Sequence, residues 1–119
     1  MIITTTSGID GAAVSRYLGI VTGEVILGTN LFRDMAADLR DRFGGRVGGY
    51  ERDLAQARSQ ALRRIQTQAM ELGANAVVGV KLDYETVGPQ GSLLMVTASG
   101  TAVLAERTGP APAEPRRGD

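Results

Sequence analysis

The sequence predicts one small α+β domain, a mostly antiparallel β-sheet with two helices, that assembles as a homo-oligomer. Three observations carry this expectation. Apolar residues recur at helical spacing in two segments, and they follow the pleat of a strand in others. The final strand is apolar on both of its faces, which calls for cover on both. The chain has 119 residues, 43% of them apolar and 22% charged, proportions that suit one globular domain with a modest core. That domain is expected over residues 1–106. Residues 107–119, rich in Pro, Ala and charge, are expected to form a disordered tail.

Ile2 to Thr5 reads as a short strand, Ser7 to Gly11 as a loop, and Tyr17 to Leu27 as a β-rich segment. Gly28-Thr29-Asn30 breaks that strand and offers a helix N-cap. Leu31, Phe32, Met35, Ala36, Leu39 and Phe43 then form one apolar stripe. Asp34 near its start and Arg40 and Arg42 near its end suit the helix dipole. Gly44-Gly45 stops this first helix and opens a glycine-rich connector that runs to Gly49.

A second helix is expected from Tyr50 to Leu72, with Leu54, Ala57, Ala61, Leu62, Ile65, Ala69 and Leu72 on its buried side. Glu51 and Asp53 fall in its first turn, and Gly73 supplies its stop. Its alanines would let it pack closely on a sheet. Ala76 to Val87 follows as a strand, with Val78, Val80, Leu82 and Tyr84 on one face and Lys81, Asp83 and Glu85 on the other. Gly88-Pro89-Gln90-Gly91 is a turn signal, so the strand from Ser92 to Leu104 should close a hairpin.

Leu93 and Met95 point to one side of that last strand, and Leu94 and Val96 to the other. Two helices can cover one face of a small sheet, leaving apolar surface over. Such surface marks an interface, so self-association through Leu94, Met95 and Val96 is the economical reading. A monomer whose helices divide between the two faces is the alternative.

Several function classes are excluded or disfavoured. The thirteen basic and thirteen acidic side chains cancel, which gives no electrostatic reason to bind nucleic acid or an anionic membrane. No leader pattern opens the chain and no stretch approaches the roughly 20 apolar residues of a membrane span, so a cytoplasmic protein is expected. Cys and His are both absent, which removes disulfides, Cys and His nucleophile systems, and thiolate or imidazole metal ligands. No spacing singles out catalytic chemistry, so no enzyme is expected and no cofactor is called for, although a divalent metal is allowed.

Two weaker site readings remain. Glu24, Asp83 and Glu85 could offer oxygen ligands to Mg²⁺, Ca²⁺ or Mn²⁺, repeated between subunits; equally, they could be a solvated face with ion pairs to Lys81 and Arg33. Arg46, Gly48 and Gly49, leading into a helix N-terminus, could hold an anion. Their spacing is neither a P-loop nor a dinucleotide fingerprint, and a plain helix-to-helix turn explains them as well.

The motifs Gly19-Ile20-Val21-Thr22-Gly23-Glu24, Asn30-Leu31-Phe32-Arg33-Asp34, Gly44-Gly45-Arg46, Tyr50-Glu51, Leu72-Gly73-Ala74-Asn75-Ala76-Val77-Val78-Gly79, Asp83-Tyr84-Glu85 and Ser99-Gly100-Thr101-Ala102-Val103 occur in order. With them the chain resembles the YbjQ-like family of small bacterial proteins of unknown function, from Ile3 to about Ala105. The resemblance implies a dodecin-like α+β subunit assembling as a homopentamer through its strands. It also brings a heavy-metal-binding label, which sits poorly with a chain lacking the soft ligands that such metals prefer. Met95 could offer a thioether around an oligomer axis, but a methionine in an apolar strand also serves simply as core filler.

Overall fold

The computed structural model describes residues 1–28 and 47–108. Its elements are β1 (Ile2–Ile3), β2 (Ala12–Leu27), α1 (Val47–Glu71), β3 (Ala76–Val87) and β4 (Leu93–Arg107). They form an α+β unit with one four-stranded sheet in the order β1-β3-β4-β2, covered on one face by α1. The first helix expected, over residues 31–43, lies outside the described residues, and α1 is the one α-helix within them.

The hairpin forms as expected. β3 and β4 pair antiparallel from Ala76↔Val103 to Val87↔Leu93, joined by a tight 3-10 turn over Pro89–Gly91. β2 pairs antiparallel with the other side of β4. It begins at Ala12, five residues before the expected start, because its partner continues to Arg107 and the ladder extends with it.

The sheet is mixed, which corrects the expectation of a mostly antiparallel one. β1 runs parallel to β3, in the register Ile2↔Ala76 and Ile3↔Val77. The reason is the route of the chain. After β1 it does not turn back as a hairpin but crosses the end of the sheet to the far edge. Ile9 and Val14 pack on the buried Ala76, Val78 and Val103 along that route.

Helix α1 begins at Val47, so Gly48 and Gly49 lie in its first turn and Glu51 and Asp53 in its second. Extending a formed helix adds one hydrogen bond per residue, which carries the poor helix formers in with the strong segment behind them. At about 1.5 Å per residue its 25 residues span roughly 37 Å. It stops where the sequence says it should. Gly73 takes φ 84°, and the N–H groups of Gly73 and Ala74 donate to Met70 and Ala69 carbonyls at 3.0 and 2.9 Å, the Schellman arrangement.

Ala57, Ala61, Ile65 and Ala69 form the buried stripe of α1, packed on Val21, Val25, Val77, Val80, Val96, Ala98 and Ala102 of the sheet. The fit is close because small residues face each other. A Cβ on Gly23 would lie 2.5 Å from the Ala61 carbonyl oxygen and 2.7 Å from Arg64 Cβ. A Cβ on Gly100 would lie 2.7 Å from Val77 Cγ1. Glycine inside a strand marks such an approach.

Gly79 changes one face assignment. The ladder shifts between Val78 and Lys81, where Gly79 adopts φ 61°, a β-bulge that inserts one extra residue. Val78 therefore shares a face with Lys81, Asp83 and Glu85, opposite to Val80, Leu82 and Tyr84. At the end of the sheet the Asn75 amide donates to the Ala105 carbonyl at 2.9 Å and accepts its N–H at 2.8 Å, joining the start of β3 to the end of β4.

Candidate functional site

The face away from α1 holds the three carboxylates singled out from the sequence, together with Met95. Register fixes its cross-strand rows. Thr22, Ser99 and Lys81 form one row, Glu24, Thr97 and Asp83 the next, and Ile26, Met95 and Glu85 a third. The pleat thus brings Glu24, Asp83 and Glu85 to one face, as alternation requires. They do not converge. Glu24 and Asp83 flank Thr97 on the strands either side of β4, about 10 Å apart at the backbone from the ordinary strand spacing. Lys81 Nζ lies 3.6 Å from Asp83 Oδ1, with both side chains more than half exposed. Among the described residues no three acidic side chains stand close enough to hold one cation.

Around these charges the face is apolar. Tyr17 and Ile20 are 74% and 80% exposed and Ile26 is 56% exposed, all on β2. Leu93 and Met95 on β4 are half-buried. The three residues expected at an interface are divided. Met95 belongs to this face; Leu94 points to the side of α1. Val96 is fully buried in the subunit's own core and so is not available to a partner.

A groove of about 1010 Å³ runs between β2 and α1, lined by Thr22, Glu24, Ile26, Gln60, Arg63, Arg64, Thr67 and Gln68. Two contacts cross it. The Thr22 N–H donates to Gln68 Oε1 at 3.1 Å, and Arg64 Nη1 donates to the Glu24 carbonyl oxygen. Sequence reading missed both helix residues, which it could treat only as solvated positions. The available signal was Gly23, a glycine inside a strand between two partners of one helix. Farther along, Arg58 Nη1 donates to Tyr84 Oη at 3.4 Å. Of the anion-binding set, Gly48 and Gly49 lie in the first helical turn, while Arg46 falls outside the described residues.

Among the described residues, fold and surface together define a class: a small sheet with one helix-covered face, one largely open face and a long edge strand. Over residues 1–106 the chain matches the YbjQ family, described as "Putative heavy-metal-binding", and it belongs to that family. It is also similar to the crystal structure of a protein of unknown function from Pediococcus pentosaceus ATCC 25745, of the DUF74 family. The TM-score is 0.60 at 22% identity, over 89% of this chain and 98% of that one. Likeness at that identity concerns the fold.

The family description can be tested against the donors of this chain. With no Cys and no His, its charged donors are carboxylates, which suit hard cations rather than soft heavy metals. The residues present do not fit a thiolate or imidazole site. No helix among the described residues is long and apolar enough to cross a membrane.

Proposed function

We propose that this chain is the subunit of a non-catalytic homo-oligomeric binding or structural module, a pentamer as its family resemblance implies. One observation carries the reading. Tyr17, Ile20 and Ile26 stand exposed on the open face of one strand, with Ile26 beside Met95 in one cross-strand row. Apolar surface of that kind is costly to leave in water and is normally covered by a partner. A further copy of the chain is the economical occupant, since the rows of Thr22, Ser99 and Lys81 and of Glu24, Thr97 and Asp83, lying between the two apolar ends, bring both signs of charge to the same face.

Native mass spectrometry of the purified chain tests this directly. The wild type is expected as one oligomer, and Ile20→Glu as a folded monomer or a much weaker assembly. A wild-type monomer at micromolar concentration would overturn the reading.

A second reading has its own support. Glu24, Asp83 and Glu85 share the face that assembly would bring against neighbouring copies, so a hard divalent cation between subunits would find oxygen ligands there. It predicts an adduct mass that chelator removes and that the Asp83→Asn, Glu85→Gln variant lacks.

A further inference from the structure

An edge strand displays outward N–H and C=O groups that can template the strand of another chain, and soluble proteins close such edges in specific ways. Among the described residues, β2 forms one edge of the sheet for 16 residues. Its two halves are treated differently. In the first half the ladder to β4 shifts twice, between Val14 and Arg16 and between Tyr17 and Gly19. Such bulges break the even spacing that an added strand would need.

In the second half the ladder is regular, yet two outward groups are already occupied. The Thr22 N–H is held by Gln68 Oε1 at 3.1 Å and the Glu24 carbonyl by the Arg64 guanidinium. Arg64 and Gln68 stand four residues apart, on one side of α1, which separates them by about 6 Å along the helix axis. Thr22 and Glu24 stand two residues apart on a strand, a rise of about 6.7 Å. One acceptor and one donor on the helix thus reach two residues that share the outward side of the edge strand. Between them, Gly23 lets the helix come near enough, since any Cβ there would meet the Ala61 carbonyl oxygen at 2.5 Å.

We propose that Gln68 and Arg64 act as a side-chain surrogate for a fifth strand at Thr22 and Glu24, blocking the middle of the regular half of the β2 edge, so that copies of this chain meet through the open face and not by extending the sheet at β2. The second clause rests on the assembly reading above; the cap itself does not.

Amide-resolved hydrogen exchange on the full chain tests it, with native mass spectrometry of the same samples. In the wild type the Thr22 amide should exchange slowly. Gln68→Met, which keeps the length of the side chain but removes the acceptor, should speed Thr22 at least ten-fold relative to the Val25 amide, which faces β4. Gln68→Glu keeps an acceptor and should restore the slow rate. Taking the ratio to Val25 removes any general loss of stability.

A Thr22 amide that stays slow in Gln68→Met is covered by a neighbouring strand, and that overturns the proposal. Free exchange at Thr22 in the wild type overturns it as well. A monomeric mass with the expected exchange ratio would sink the assembly reading while leaving the cap in place.

Discussion

Under α1, Val21, Val96, Ala98 and Ala102 are buried against the helix, whereas on the opposite side of β2, Ile20 and Ile26 are among the most exposed large apolar residues of the protein. Val21 and Ile20 are neighbours in sequence on opposite sides of one strand, and both are strongly hydrophobic. Residue size separates them. The centre of the covered face is built from Val, Ala and Gly, with Leu18, Leu27 and Leu82 packed around it, trimmed to a helix whose own stripe is mostly alanine. The open face mixes large apolar side chains with Thr, Ser and charges. Hydrophobicity alone therefore does not say which face becomes the core; the match of small residues to a nearby helix does.

The largest effect that would sharpen this contrast is expected at Ile65, which is 0% exposed. Ile65→Ala should cost about 3 kcal/mol through lost burial and a residual cavity. By contrast, Ile20→Ala, at 80% exposure, should change the stability of the dissociated subunit by less than about 0.5 kcal/mol. Urea unfolding of both variants in dilute solution gives the comparison. Equal costs would mean that the open face is part of the subunit's own core.

Gly23→Ala should come next, at about 2 kcal/mol, because the helix backbone at Ala61 has no flexible end to yield. Gly8→Ala, with open space around its position, is the matching control in thermal melts. The smallest effect is expected on the open face itself. Lys81→Gln removes an exposed ion pair with Asp83 and should shift stability by less than about 0.5 kcal/mol, and less again in high salt.

Much of the fold was legible in the residues because the signals are local. Gly88-Pro89-Gln90-Gly91 gave the hairpin, Gly73 gave the end of α1, and alternation along residues 81–87 put Asp83 and Glu85 on one face. Of the candidate site, the shared face of Asp83 and Glu85 was readable in this way; their placement beside Met95 and Glu24 came from strand pairing. The interface assignment of Val96 was not, since alternation separates two faces without saying which one a helix will cover.

By itself, then, the sequence determined the α+β character, the positions of β3, β4 and most of α1, and the absence of thiolate and imidazole metal ligands. Tertiary structure decided the rest. The parallel placement of β1 on β3 depends on where the chain crosses the sheet, and the change of face at Val78 depends on a bulge defined only by pairing with β4. The capping of β2 joins residues 46 and 40 positions apart. Local preferences act over a few residues of chain, but contacts at that separation exist only once packing has brought a helix within reach of an edge.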